Sequence, residues 1–507
     1  MFSKREMAVS VFCLSLLCSS ALGDTKTASP GFITDANLIF TQPDVPKPDY
    51  LKPIIDPVFG AKITRIAGDA DSPLIFERSS EKAAWGSDVR HRYSKEQFWN
   101  SDNTLLVIEN RKNRLATQLV LDGKTYKVRY PICADYNQSD DRWHPSPKYP
   151  HIRINVKNYI LEWFDVVECR QVRKWDLPVS VRGMGMGEGN PSLDGRFVLL
   201  ADRRAENMFV VDMDPQPPFP PYPNKRIGPL FDASQCGLAC GCVVDWVSVS
   251  PSGKYAVVSY NGGRRELLGD YPRVFDIDPN TLEIKPHPMP PMSAECAPLN
   301  VPGSKPKDPN MGYIYDLGHA DMTLNPFDNN EDVIIGQRQH WCPSVVNGVR
   351  LGGVVMVRLR DNKITTLTMP ENEAHPHHIS TRNFDRPGWA YVSYWPPSSE
   401  YGPRFGNEVI AVKIDGTGSV ERFAHTHSNP GEPDCYRCEV HVSPSRDGRQ
   451  ILFASTWSID CDSGCGSQAN PQDYVIDSVV DRGPVVSIAD YALLAEQWLS
   501  NSPAYEQ

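Results

Sequence analysis

The chain has 507 residues, 40% of them hydrophobic and 22% charged, which is ample material for a large buried core. A formal net charge of −10 and a pI near 5.7 argue against a nucleic-acid partner, because phosphate binding needs a cationic footprint. Net charge does not fix where charge sits, so a local basic groove for an acidic polysaccharide stays compatible.

The N-terminus carries Lys4 and Arg5, an apolar run from Met7 to Leu17, and Ala21-Leu22-Gly23 before Asp24. This is the form of a secretory signal at 1–23 with cleavage after Gly23, too short to span a bilayer, and no later stretch predicts a membrane span. An exported, secreted or periplasmic protein is expected. Setting aside Cys13 and Cys18, the other cysteines then belong to an oxidising compartment where disulfides are the default. Cys435-x-x-Cys438 with Cys461-x3-Cys465 reads either as a four-thiolate zinc site or, favoured by the compartment, as two disulfides.

Residues 24–57 are rich in Pro, Asp and Thr and read as a linker wrapping the surface. The strand within Asp56 to Ala67 has no preceding partner and is expected to complete the last unit of a ring. From there to 478 one phrase recurs: a strand, a Pro/Ser/Asp/Gly turn and a second strand, as in EVHVSPSRDGRQILFAS, WVSVSPSGKYAVVSY, NPSLDGRFVLLA and FWNSDNTLLVIEN. Such self-similarity predicts an all-β, seven-bladed β-propeller over 58–478. Blades are expected at about 90–131, to 178, 185–232, 242–290, 313–370, 373–428 and 435–477. Pro-rich insertions at 215–225 and 286–309 read as binding elements or as inert surface excursions. In the tail, 479–507, a short helix is expected from about Ile488 to Leu499.

Equivalent side chains of different blades converge at the mouth of a propeller's channel. Aligning the units on Ser-Pro places His441, His378, Ser248 and Asn190 at one position, with His319 facing the same way four residues earlier. Of 12 histidines, eight fall in the last three blades, and imidazoles from neighbouring strands with an amide or carboxylate suit Mn, Fe, Zn or Ni. His375, His377, Gln337, Gln339, His340 and Glu439 are further candidates there. Arg90-His91-Arg92-Tyr93-Ser94-Lys95 offers cations to neutralise a uronate carboxylate and His, Tyr or Lys to remove the C5 proton, the parts of a β-elimination.

The turn phrase resembles that of TolB-type propellers with PD40 repeats. The opening DPVFGAKITRIAG followed by RHRYSKEQFWNSDNTLLVI is similar to the start of oligogalacturonate-lyase-like propellers. That resemblance implies a metal, most often manganese, on His319, His378 and His441 with Gln337 or Gln339, and places His91 or Arg92 near the base; with Tyr93 of the same stretch, these are the candidate catalytic residues. It implies a metal-assisted polysaccharide lyase acting on a uronate-containing polysaccharide or oligosaccharide. The alternative is a non-catalytic TolB-like propeller binding a glycan or protein partner. The stretch VVDRGPVVSIADYALLAEQWL resembles half of a dockerin-type module, with Asp490 at the twelfth loop position and Asp481 at the third. Two usual oxygen ligands are absent, so strong calcium binding is not expected, and the tail reads either as a protein-docking or surface-retention tag or as a packed C-terminal helix.

Overall fold

The structure is a computed structural model that describes residues 32–77, 82–111, 118–136, 139–232, 243–261, 270–288, 317–338, 345–346, 349–350, 353–369, 371–397, 402–428, 436–457 and 471–478. Short apolar and β-branched runs pair into seven antiparallel blades, of which the last and the first form one nine-stranded sheet through a parallel bridge between Gln472 and Val89. Blade 1 holds Asp88–Arg90, Leu105–Arg111, Gln118–Asp122 and Val128–Pro131. Blade 2 holds Asp140–Trp143 and the long hairpin Ile152–Asp165 with Arg170–Val181. Blade 3 holds Phe197–Ala201, Asn207–Asp212 and the short strands Arg226–Ile227 and Phe231–Asp232, with the segment 182–192 along its inner edge. Blade 4 holds Val243–Val249, Tyr255–Asn261, Asp270–Ile277 and Ile284–Pro286. Blade 5 holds Leu317–Asn325, Glu331–Arg338, Val354–Arg358 and Ile364–Thr366. Blade 6 holds Pro376–Ser380, Trp389–Tyr394, Glu408–Lys413 and Val420–His425. Blade 7 holds Ser443–Pro444, Gln450–Ser455 and Gln472–Asp477, with Lys62–Arg65 and Ile54–Ile55 added at its outer edge.

The core shows that these sheets close into a ring. Each of seven hydrophobic clusters joins one neighbouring pair of blades, and the last joins Leu452 and Val475 of blade 7 to Trp99, Leu106 and Ile108 of blade 1. Alternation along each strand sends one set of side chains to each neighbour, so every blade is covered on both faces. Each fully buried Leu, Ile or Phe here contributes about 1.5–3 kcal/mol. The ring is fastened by Lys62–Arg65, which pairs antiparallel with Gln472–Asp477 (Thr64 opposite Val475), so residues far apart in sequence share one sheet and its free edge is covered.

Residues 32–57 lie across blades 6 and 7. Trp457 Nε1 donates to the Val45 carbonyl at 3.0 Å, and Arg422 donates to the carbonyls of Asp35 at 3.2 Å and Leu38 at 2.8 Å while its Nε holds Glu408 at 2.8 Å. The insertion at 215–225 packs on the outside of the ring, with Tyr222 against Trp175 at 5.4 Å between ring centroids. It is therefore a surface excursion, away from the channel. Most of the insertion at 286–309 lies outside the described residues, as does the tail from 479 with its expected helix and dockerin-like pattern.

A disulfide joins Cys133, after the outer strand of blade 1, to Cys169 in the hairpin of blade 2. Cys438 is also disulfide-bonded, which removes it as a thiolate ligand and favours the disulfide reading of the last cysteine group. Cys435, Cys461 and Cys465 lie outside the described residues. Among the described residues, no helix is long and apolar enough to cross a membrane.

Candidate metal centre

In every blade the inner strand ends in a turn that fixes its register. The turn-closing N–H is that of Ser445 in blade 7 (to Gln450 O), Ser250 in blade 4 (to Tyr255 O) and Ser192 in blade 3 (to Phe197 O). Aligned this way, the counterparts of His441 are Trp246 and Glu188. Ser248 and Asn190, expected from Ser-Pro spacing, lie two residues further along, where Ser248 Oγ accepts the Asn190 N–H at 3.1 Å. The correction has a simple cause: the Ser-Pro pair sits before the turn-closing serine in blade 7 and begins with it in blade 4.

The histidines are placed by irregular backbone at the start of the inner strands. Pairing in blade 5 skips from Gly318 to Asp321 and in blade 6 from Pro376 to Ile379, so His319, His377 and His378 sit on β-bulges that turn their rings toward the channel. His319 and His441 also hold left-handed backbones, φ 45° and 46°. Such conformations cost a non-glycine residue about 1–3 kcal/mol and concentrate at functional sites.

His319, His377 and His378 bring one ligand atom each within 4.8 Å of one another, and His378, Glu439 and His441 do the same. Ring centroids lie 4.0 Å apart for His378 and His441, 4.1 Å for His377 and His378, and 4.4 Å for His319 and His378. Glu439 is central: its Oε2 is 3.0 Å from His441 Nε2 and 3.6 Å from His378 Nε2, and its Oε1 is 3.7 Å from His377 Nε2. His378 is fully buried and its Nε2 has no hydrogen-bond partner.

Burial pushes His319 down to about 4, and pushes His377, His378 and His441 well below the usual histidine range with help from neighbouring cations and imidazoles. All four rings are therefore neutral near pH 7 and carry a lone pair. Burial also pushes Glu439 up to about 8 against the opposing pull of Arg90. A dication among these atoms would favour the ionised carboxylate and give His378 Nε2 a partner, so the donor set fits a divalent transition metal.

Arg90 holds this arrangement from blade 1. Its guanidinium abuts His441 Nδ1, and its Nη1 donates to the carbonyls of Arg437 at 2.6 Å and Glu439 at 3.0 Å. Tyr93 Oη lies 3.2 Å from His319 Nδ1, and its ring meets His378 and His441 edge-on at 5.2 and 5.0 Å. Lys95 Nζ pairs with Glu188 Oε2 at 2.7 Å and sits 3.9 Å over the Trp246 ring. Burial, with the nearby Glu188 charge, pushes Asp245 up at the same rim.

Of the residues singled out from sequence, His319, His378, His441 and Tyr93 come together here, joined by His377. His91 is adjacent but occupied, with Nδ1 2.6 Å from Asp473 Oδ1 and Nε2 2.5 Å from the His441 carbonyl, leaving neither ring nitrogen for a substrate. Arg92 is tied to Glu96 at 2.8 Å and Asp140 at 2.9 Å. Gln339 and His340 lie outside the described residues, while Gln337 is buried with an unpartnered Oε1. His425 and His427 form a separate group near Asp56 and Trp457. Glu439 was legible only as a neighbour of His441, and no periodicity marks it as the carboxylate that His377, His378 and His441 share.

These features define a seven-bladed β-propeller with a histidine-rich site at its channel mouth. No protein-family model and no curated protein matches the chain. Among solved structures it is similar to an oligogalacturonate lyase in complex with manganese, at 12% identity and TM-score 0.47 over 84% of this chain and 95% of that one. It is similar to an oligogalacturonate lyase from Vibrio parahaemolyticus, at 10% identity and TM-score 0.36 over 85% and 97%. It is also similar to the Neurospora crassa Pan2 WD40 domain, at 11% identity and TM-score 0.41 over 83% and 96%.

Proposed function

We propose that the protein is an exported, metal-assisted polysaccharide lyase acting on uronate-containing glycans. The observation that carries this reading is the convergence of four neutral imidazoles and Glu439 beside the Tyr93 hydroxyl. The signal-like N-terminus and the Cys133–Cys169 disulfide support export to the periplasm or beyond.

β-Elimination needs a neutralised uronate carboxylate, removal of the C5 proton and a proton for the leaving oxygen. The ion would be held by His378 with either Glu439 and His441 or His319 and His377. When bound, it would supply the charge that neutralises the carboxylate and so acidifies the C5 proton. Tyr93 is the group that exchanges a proton with the substrate: its Oη lies 3.2 Å from His319 Nδ1, and a His319 that ligates through Nε2 donates its Nδ1–H to that oxygen, which fixes it at the edge of the site. Lys95 Nζ, paired with Glu188, lies 5.8 Å from the Tyr93 ring on the same rim. His91 and Arg92 act through position: the first locks blade 1 to blade 7, and the second anchors the segment carrying Tyr93 to Glu96 and Asp140.

Manganese is the first ion to test, being the ion in the similar lyase structure. The purified protein should contain a stoichiometric divalent metal by elemental analysis and release ultraviolet-absorbing unsaturated products from polygalacturonate or another polyuronate. A His378→Ala/His441→Ala double variant should lose both. Wild-type protein that takes up no metal would sink this reading and leave a glycan- or protein-binding propeller.

A further inference from the structure

The imidazoles of the metal centre belong to an unbroken run of ring contacts that ends on both sides in a larger aromatic side chain. Tyr436 meets His441 at 5.1 Å between centroids, His441 meets His378 at 4.0 Å, His378 meets His377 at 4.1 Å, and His377 meets Trp395 at 4.5 Å. The end rings differ from the histidines between them in being open to solvent. Tyr436 is 51% exposed and Trp395 is half-buried, whereas the three histidines are buried. Neither the Tyr436 hydroxyl nor the Trp395 indole N–H has a hydrogen-bond partner among the described residues.

Tyr436 is held in place by its neighbours in the chain. Arg437 grips Asp88 through Nε at 2.9 Å and Nη2 at 2.7 Å, and its carbonyl accepts from Arg90 at 2.6 Å. Cys438 is fully buried and disulfide-bonded, and its carbonyl accepts from Ser428 Oγ at 2.8 Å. The turn Tyr436–Cys438 therefore presents the ring in fixed register with Glu439 and His441, which follow on the same segment. The ring lies over the mouth, because the charge of Glu188, on the segment lining blade 3, reaches both Tyr436 and His319. Trp395 is fixed through its backbone: its N–H donates to the His375 carbonyl at 3.0 Å and its carbonyl accepts from the Asn407 N–H at 3.1 Å. A single exposed aromatic needs no explanation. Two that are immobilised against the outermost imidazoles of one cluster, and left uncovered, are preorganised for a ligand with apolar faces.

We propose that Tyr436 and Trp395 are sugar-binding platforms that stack on the pyranose rings flanking the uronate at the metal centre. A pyranose offers apolar C–H faces to both rings, and hydroxyls to the unused Tyr436 Oη and Trp395 N–H. The proposal rests on the lyase reading for the identity of the ligand, a polyuronate, and adds its length: rings on both sides of the metal-bound residue are engaged, so the site takes a chain and discriminates against the monosaccharide. Neither platform holds the ion or moves a proton.

The test is calorimetric titration, in the presence of manganese, of the full chain carrying Tyr93→Phe, so that turnover does not consume the ligand. The probes are galacturonate and trigalacturonate. The trimer should bind at least tenfold more tightly than the monomer. Tyr436→Ala and Trp395→Ala should each weaken the trimer at least tenfold and leave the monomer within twofold, while Tyr436→Phe, which keeps the stacking face, should hold the trimer within threefold. Metal content by elemental analysis should be the same in every variant. A trimer that binds no more tightly than the monomer, trimer binding undiminished by Tyr436→Ala or by Trp395→Ala, a monomer weakened as much as the trimer, or metal lost along with either ring would each overturn the proposal. Failure of the lyase reading shows in other measurements, absent metal or absent unsaturated product in wild type, whereas the platforms are read from the affinity of the trimer.

Discussion

The two halves of the channel rim both bury polar side chains and treat them in opposite ways. On the side of blades 1 and 2, charge meets charge: Arg92 with Glu96 and Asp140, Arg142 with Asp140, and Arg153 with Asp141 at 2.8 Å. On the side of blades 5 to 7 the groups are neutral imidazoles on bulged or left-handed backbone, one with a buried nitrogen that nothing satisfies, around a carboxylate pushed up to about 8. Buried polar groups in folded proteins are normally satisfied by neighbours, as most of the paired charges on the first side are, Arg142 Nε excepted. A cluster that spends backbone strain to remain unsatisfied is organised for something it binds.

The largest effect that would break this contrast is chemical. Tyr93→Phe removes the only hydroxyl placed against His319 among the contacts described and leaves every donor atom of the metal cluster in place. Turnover on a polyuronate should fall by about 10²–10⁴ with metal content unchanged. Metal lost along with turnover would instead make Tyr93 a support of the cluster.

On the paired side, the expected loss is stability. Asp141 is fully buried, and although burial alone would push its carboxyl up, Arg153, Arg92 and the Tyr136 hydroxyl hold it well below the usual range. Asp141→Ala strands Arg153 beside Trp143 without its counter-charge and should destabilise the fold by about 3–5 kcal/mol in chemical denaturation. Metal affinity per folded molecule should not change. The imidazole side answers in the other direction: manganese at about 100 times its Kd should stabilise wild type by about 2.7 kcal/mol and leave the His378→Ala/His441→Ala variant unmoved.

The sequence shows the ring more readily than the site, for a physical reason. Strand, turn and strand are local features, so EVHVSPSRDGRQILFAS and WVSVSPSGKYAVVSY announce blades wherever they occur. Which side chains meet across the channel depends on register to within one residue, because a shift of one turns a strand residue to the other face. The Ser-Pro alignment slips by two between blades 4 and 7, which is why Ser248 and Asn190 took the place of Trp246 and Glu188. His319 reaches the mouth through a bulge and a positive φ that no periodicity encodes. The tie between His91 and Asp473, 382 residues apart, exists only after the ring closes. His91 as a base was a reasonable expectation from composition and is a closure contact in the fold.

His144 sharpens the comparison by showing that neutrality alone does not make a histidine a ligand. It lies in blade 2, its ring set among Tyr149 and Trp163 at 4.7 and 4.5 Å, with Nδ1 accepting the Ser146 N–H at 3.1 Å. Burial pushes it down to about 3, as burial pushes down the clustered rings, yet no cluster of ligand atoms includes it among the described residues. The unfolded chain protonates this side chain near its ordinary value of 6.5, and the folded protein does so only near 3. Between these values the unfolded state binds more protons, so stability falls as pH drops from 6.5 toward 3, by at most about 1.4 kcal/mol per pH unit from this group. His144→Asn keeps an acceptor for the Ser146 N–H and removes the titration. Carboxylates act alike in both proteins, so the difference between the two denaturation free energies, measured at intervals from pH 7 to pH 4, isolates His144. The variant should lose stability less steeply than wild type across that window. Parallel curves would mean that the ring is already charged in the fold, and that its place beside Tyr149 and Trp163 is a cation–π contact and not the packing of a neutral aromatic.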